Sequence, residues 1–341
     1  MVVYCVSMRS AGRRGIFPHG LSPAIRRAFD RSVHRFASFG YAVLPNANPR
    51  RHGVDLIRDI PYRDTGRRAH LLDVYRPRAF EARPALLYIH GGAFSMLSKD
   101  THRIMALHFA SQGYVVFNAN YRLAPRHRYP AQLEDASAAL LWVLEHAAEH
   151  GADPSRLVLA GESAGANLVT ALAYAATHRR PERFARAVYD REPNIRAVVS
   201  VYGMHDMHDV ERFWRHPRKA RKMPLWMKRE LAWVVRAYVG DDPHAAPLAS
   251  PLQRLLEPPT DPCRPLPPFF LTAGTADPLL DDSRRLRAAL VERGVDCELH
   301  VYPGEIHGFN AMLWRPAAQA KWQAAFDFLR RYVPLDEARS A

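Results

Sequence analysis

Gly161-Glu162-Ser163-Ala164-Gly165 sets a serine between two glycines in a G-x-S-x-G pattern. The strand-like run Arg156 to Ala160 precedes it, and the helix-like run Asn167 to His178 follows. A serine on such a sharp strand-to-helix turn projects its hydroxyl over the sheet edge, and the next N–H is placed to hold a developing oxyanion. The flanking glycines have a steric reason, because the turn leaves no room for side chains beside the nucleophile. The chemistry indicated is nucleophilic acyl transfer through Ser163. Upstream, Ala85-Leu86-Leu87-Tyr88-Ile89 ends in His90-Gly91-Gly92-Ala93-Phe94. Consecutive glycines after a strand let backbone N–H groups turn toward a ligand, which makes Gly91 and Gly92, with Ala164, the candidate oxyanion donors.

A serine hydroxyl needs a histidine to take its proton, and the histidine needs an acid to fix its tautomer. With 17 histidines in the chain, only context selects one. His307 lies in Glu305-Ile306-His307-Gly308-Phe309, just beyond the strand-like run Cys297 to Tyr302. Asp277 follows the strand-like run Phe269 to Ala273 in Thr275-Ala276-Asp277-Pro278. Asp277 is the expected orienter. Asp281 or Asp282 is better placed to cap the following helix, and Glu305 is the rival orienter, too near His307 in sequence to reach the far ring nitrogen.

These motifs carry a resemblance. His90-Gly91-Gly92, Tyr121-Arg122-Leu123-Ala124-Pro125 with Tyr129-Pro130-Ala131, Gly161 to Gly165, Asp277-Pro278-Leu279 and His307-Gly308-Phe309 are co-linear over roughly residues 70 to 332. In that order the chain resembles the hormone-sensitive-lipase-like esterases (family IV, arylacetamide-deacetylase-like) of the α/β-hydrolase superfamily. The resemblance implies Ser163 as nucleophile, His307 as general base and Asp277 as orienting carboxylate. It implies Gly91, Gly92 and Ala164 as the oxyanion hole, and it requires no cofactor or metal. Glu162 stands where many members carry aspartate and reads as a subfamily marker. Arg122 and Asp135 are candidates to brace a structural loop. The function implied is a serine carboxylesterase acting on short to medium acyl esters. An arylamide amidase or deacetylase is the alternative within the class. A non-catalytic ligand receptor is a further one, disfavoured because Ser163, Asp277 and His307 are all present.

The elements that must position these residues recur in an α/β rhythm. Strand-like runs cover Asp55–Tyr62, His70–Arg76, Ala85–His90, Tyr114–Asn120, Arg156–Gly161, Ile195–Tyr202, Phe269–Ala273 and Cys297–Tyr302. Helix-like runs cover Thr101–Gln112, Pro130–His150, Ala164–His178, Asp282–Arg293 and Arg315–Tyr332. The pattern predicts an α/β fold, a mostly parallel eight-stranded sheet with helices on both faces and an antiparallel pair at its start. Two stretches break the rhythm: residues 1–53, with a helix expected at Ser22–Phe39 and a turn-rich segment at Pro45–Gly53, and residues 204–250, with a helical run at Leu225–Tyr238. By resemblance they form a cap over a catalytic domain made of 54–203 and 251–335. Phe213, Trp214, Trp226, Met227 and Trp233 are its candidate pocket aromatics and methionine, or simply cap core.

In a chain of 341 residues, a hydrophobic content of 48% is ample for a core. No apolar run approaches the roughly 18 residues of a membrane span. Met1 to Arg14 puts its apolar residues before its arginines, the reverse of a secretory leader, so a cytoplasmic protein is expected. Cys5, Cys263 and Cys297 are too few and scattered for a disulfide framework or zinc site. The net charge of +14 invites a nucleic-acid reading. However, only five basic residues are lysines and 43 are arginines spread along the whole chain, a skew that genome composition alone produces. No nucleic-acid partner is expected. A dense basic run, Arg212, Arg215, Arg218, Lys219, Arg221, Lys222, Lys228 and Arg229, with Arg26, Arg27, Arg31 and Arg35 on the first helix, is a solvated cap face or a surface for anionic esters or lipids. Peripheral membrane contact stays open on that account; the edge strand Cys297–Tyr302 needs covering, and the resemblance implies a possible homodimer through it, with the oligomeric state otherwise open.

Overall fold

The computed structural model describes residues 47–335 except 79–81, 218–220, 222 and 259–262, together with residues 22, 24, 25, 27, 28 and 30–35. Eight strands form one sheet: β1 (Val54–Pro61), β2 (Leu71–Pro77), β3 (Arg83–Ile89), β4 (Val115–Ala119), β5 (Ala152–Glu162), β6 (Ile195–Val201), β7 (Phe269–Gly274) and β8 (Cys297–Tyr302). Their order is β1-β2-β4-β3-β5-β6-β7-β8. β1 and β2 pair antiparallel, as do β2 and β4, and every later pairing is parallel. The α/β fold expected from the sequence is the fold observed.

The inner strands β3 to β7 are largely apolar on both sides because helices cover both faces, whereas the edge strands β1 and β8 are only partly buried. Side chains alternate between two cores with the period of the pleat. Leu87, Phe117, Leu159 and Leu271 face the core built with helices Ala131–His146 and Ala164–Thr177. Leu86, Val116, Val158 and Phe270 face the core built with helices Arg103–Ser111 and Pro316–Tyr332.

Several boundaries differ from expectation for identifiable reasons. β5 begins at Ala152, ahead of the apolar run, because Ala152 and Asp153 already pair with Arg83 and Pro84 across a register shift. The long helix-like run after Pro130 divides into Ala131–His146 and a 3₁₀ turn, Ala147–His150, stopped by Gly151 in the left-handed region. Two short helices, Arg183–Asp190 and Pro251–Leu256, were not anticipated. The insertion carries the helix Leu225–Val239, close to the expected span. Residues 24, 25, 27, 28 and 30–35 are helical, while 36–39, Arg26, Pro45 and Cys5 lie outside the described residues.

The register fixes where the chemistry sits. Ile89 of β3 lies opposite Gly161 of β5, so the His90-Gly91-Gly92 loop leaves the sheet beside Glu162-Ser163. Asp277 and His307 follow the carboxyl ends of β7 and β8. All four segments gather at one edge of the sheet, where ligands of open α/β folds bind.

Candidate active site

Ser163 joins β5 to the helix Ala164–Thr177 with φ 53° and ψ −115°, a left-handed conformation costly for a residue with a side chain. Its N–H donates to Val201 O of β6 at 2.9 Å, which helps hold the strained turn. Close approach explains Gly165: a Cβ there would stand 2.0 Å from Ile89 O, inside the backbone of β3. The glycine therefore lets the helix seat against the strand that feeds the His90-Gly91-Gly92 loop.

The three residues singled out for acyl transfer meet. His307 Nε2 lies 3.0 Å from Ser163 Oγ, and His307 Nδ1 lies 2.8 Å from Asp277 Oδ2. Asp277 Oδ1 accepts the Leu279 N–H at 2.8 Å, so this carboxylate shapes its own turn while it holds the histidine. The cap expected of Asp281 or Asp282 is absent from the helix Leu280–Glu292: no side chain caps it. Asp282 instead is buried and accepts from Arg212 and from the His205 N–H at 2.8 Å. Glu305 points to Arg315 at 2.8 Å rather than to the imidazole. Its own backbone locks the two loops together, because Ala276 N donates to Glu305 O at 3.0 Å.

Burial disfavours the His307 cation, yet the Asp277 carboxylate, with Glu162 behind it, raises the imidazole above its ordinary pKa. The Asp277 side chain is fully enclosed, whereas His307 exposes 37% of its side chain, so the pair opens to solvent at the histidine. Tyr202, whose ring centroid is 4.6 Å from that of His307, packs against the imidazole.

The glycine loop is held from behind. His90 is buried, its Nδ1 2.6 Å from Gly91 O and its ring stacked on Tyr121 at 4.3 Å. Burial, with His102 nearby, pushes the His90 pKa down to about 3, so the ring stays neutral. Gly92 has φ +113°, and its carbonyl accepts from the Ser95 and Met96 N–H groups. A Cβ on Gly91 would be 3.4 Å from Ser163 Cβ, which measures how closely this loop passes the serine. Ala164 is the first residue of its helix, where an N–H has no intrahelical acceptor.

Sequence reasoning treated Glu162 as a subfamily marker and missed its environment. The carboxylate is buried and takes His102 Nε2 at 2.7 Å, Tyr202 OH at 2.7 Å and Asn310 Nδ2 at 2.8 Å. Burial pushes its pKa up, but these partners outweigh burial and hold it at about 2. A fixed negative charge therefore sits one residue from the serine. His102 and Asn310 carry no local signal, because each meets Glu162 only through the fold. Arg122 and Asp135 pair as anticipated, Nε to Oδ2 at 2.8 Å, and Arg63 joins the same buried carboxylate at 2.9 Å.

The basic run of the insertion is not one surface. Arg212 is buried against Asp282 at 2.6 Å, and Arg215 pairs with Asp209 at 2.6 Å. Arg221 and Arg229 are exposed, and Arg218, Lys219 and Lys222 lie outside the described residues. Of the candidate pocket residues, Phe213 and Met227 border a cavity of ≈ 390 Å³ beside Asp277, Thr275 and Ala276. Trp226 is 59% exposed, and Trp214 and Trp233 pack on the core. Among the described residues, no helix is long and apolar enough to cross a membrane.

A family model described as the alpha/beta hydrolase fold matches residues 86–311. The chain is 34% identical over 271 residues to the carboxylesterase NlhH of Mycobacterium tuberculosis, covering 78% of this chain and 76% of the relative. It is 31% identical over 255 residues to the acetyl esterase of Salmonella paratyphi A, covering 73% and 70%. Among solved structures, a bacterial heroin esterase superposes with a TM-score of 0.72 at 25% identity, covering 91% of this chain and 92% of that one. The hyperthermophilic esterase of the archaeon Pyrobaculum calidifontis gives 0.67 at 28% identity, covering 92% and 100%.

Proposed function

The chain belongs to the α/β-hydrolase-fold family, within its hormone-sensitive-lipase-like esterases, and is a carboxylic ester hydrolase, and we propose that it cleaves its esters through an acyl-serine intermediate on Ser163. The observation that carries this reading is the unbroken hydrogen-bonded chain from Ser163 Oγ through His307 to Asp277. His307 Nε2 takes the hydroxyl proton as Oγ attacks the carbonyl carbon, and Asp277 stabilises the imidazolium that forms. The Gly91, Gly92 and Ala164 N–H groups receive the tetrahedral oxyanion, a contribution of about 10²–10³ in rate for a single donor. His307 then gives its proton to the leaving alcohol. Water, activated by the same nitrogen, attacks the acyl-serine, releases the acid and restores the hydroxyl.

We assign short to medium acyl esters as substrates. The 31% identity to an acetyl esterase supports this. We assign residues 1–53, most of which lie outside the described residues, and 204–250 to a cap over a catalytic domain of 54–203 and 251–335, as the resemblance implies. The exposed β8 edge is the proposed face of a homodimer, which multi-angle light scattering on the intact chain tests directly.

The function is tested with p-nitrophenyl esters from acetate to palmitate, with Ser163→Ala in parallel. Activity peaking at acetate to hexanoate and lost in the variant is the expected result. A peak at palmitate would overturn the acyl-length assignment, and equal rates in wild type and variant would overturn the role of Ser163.

A further inference from the structure

Six arginines from three separate parts of the sequence, Arg31, Arg35, Arg67, Arg68, Arg122 and Arg126, line one groove of ≈ 950 Å³ between the N-terminal helical stretch and the loop after β4. Asp30 is the single carboxylate in its lining. That carboxylate is already engaged, accepting the Leu97 N–H at 2.8 Å. Arg122 is committed to Glu134 and Asp135, and Arg68 reaches Asp100 only at 3.6 Å. Among the described residues, Arg31, Arg35, Arg67 and Arg126 make no ion pair with a carboxylate.

Some surface arginines elsewhere, such as Arg58, Arg78, Arg156 and Arg264, sit within 3 Å of an acid. Others, such as Arg183, Arg186 and Arg287, stand apart. What sets Arg31, Arg35, Arg67 and Arg126 off is that they share one concavity. Single exposed arginines need no explanation. Four unpaired guanidinium groups around one concavity repel one another, and a concave wall focuses their field onto whatever enters. The local potential registers on His127 in the same lining. Its pKa is lowered by partial burial first and then by the charges of Arg122, Arg67 and Arg126.

We propose that this groove binds a multivalent oxyanion, a small molecule bearing several phosphate or carboxylate groups. Planar guanidinium forks suit both groups, since each N–H pair matches two oxygens of one anion. The volume exceeds what one sulfate-sized ion fills and suits several charges at once. The groove is separate from the reacting atoms but touches their support. Leu97 and Ser98 of its wall continue the loop that carries Gly91 and Gly92. Asp30 and His34 tie the helical stretch to that wall, the latter through Ser98 Oγ at 2.9 Å.

The test is isothermal titration of the intact chain at low ionic strength with inorganic tripolyphosphate and, separately, with citrate. Saturable one-to-one binding is expected for at least one of them, and which one separates a phosphate from a carboxylate preference. R67Q/R126Q should weaken that binding by roughly tenfold or more, since charge-assisted contacts are lost. R221Q/R229Q, on the exposed part of the insertion, should leave it unchanged. R31Q/R35Q repeats the test from the opposite wall should the first pair fail to fold. Equal affinity in the groove variants, or no saturable binding of either anion to wild type, would overturn the proposal. So would binding of wild type to phosphatidylglycerol vesicles without binding of either small anion, because the face would then serve a lipid surface.

Discussion

At the level of single residues, the proposed mechanism has charges that stay put while one proton moves. Glu162 is held ionised at about 2 by His102, Asn310 and Tyr202 against the cost of its burial, and Asp277 is clamped by Leu279 N–H. Both carboxylates favour the His307 cation, and in its proposed role as base His307 must be neutral to accept the serine proton. With the folded pKa of His307 above 6.5, kcat/KM is expected to rise with pH through that raised value and to be lost on the acid side of it. Glu162→Gln removes one of the two charges that raise it, so the acid limb should move to lower pH. A pH–rate profile identical to wild type would refute that electrostatic role. Asp277→Asn should do the same and, by disturbing the tautomer, lower turnover by up to about 10⁴. The types and order of Ser163, Asp277 and His307 were legible in the sequence because each stands beside a strand end. The partners of Glu162 were not, because 40 positions separate it from Tyr202 and 148 from Asn310, and His102 lies on a different element upstream.

At the level of elements, steric fit and buried charge set the tolerances. Gly165→Ala would place a methyl group 2.0 Å from Ile89 O, so β3 and the serine helix would have to separate. A loss of several kcal/mol, of the order of an overpacked core, is expected in urea unfolding, with hydrolysis lost as well. Wild-type stability in that variant would contradict the packing described. The helix Pro316–Tyr332 carries the opposite kind of feature. Lys321 is buried, its Nζ 3.5 Å from the Trp322 ring centroid, and burial lowers its pKa to about 7 despite the attraction of Glu162. Between about 7 and its ordinary value, the unfolded chain binds the proton that the folded chain has shed, so stability rises with pH across that window. The burial penalty is thus full below pH 7. Lys321→Met should raise the melting temperature more at pH 6 than at pH 10, and thermal melts at the two pH values check it. An equal gain at both would show that the charge is not the issue. The strands were readable because two-sided burial writes apolar runs. The helices Arg183–Asp190 and Pro251–Leu256 were not, since eight and six residues are too few for a clear helical period.

For the whole molecule, the question is what joins the insertion to the sheet. Arg212 reaches from the 3₁₀ turn Val210–Phe213 to Asp282 on the helix after Asp277, and both groups are buried. The basic run in which Arg212 stands suggested a surface role, because its partner lies 70 positions away and leaves no mark on the local sequence. Asp282→Asn leaves the guanidinium without its counter-charge. A loss of about 3–5 kcal/mol is expected, as for other broken buried pairs. Urea unfolding decides it, and an unchanged midpoint would mean that the insertion is anchored elsewhere. The same long-range convergence created the arginine groove from segments that read separately as dispersed charge.

The measurement that bears most directly on the central claim is intact-mass analysis after treatment with a fluorophosphonate, with ester hydrolysis followed in the same sample. One adduct on the peptide containing Ser163, formed in step with the loss of hydrolysis and absent from Ser163→Ala, is the predicted result. Hydrolysis that survives in Ser163→Ala, or an adduct that maps to another residue while activity disappears, would contradict the assignment of Ser163, His307 and Asp277.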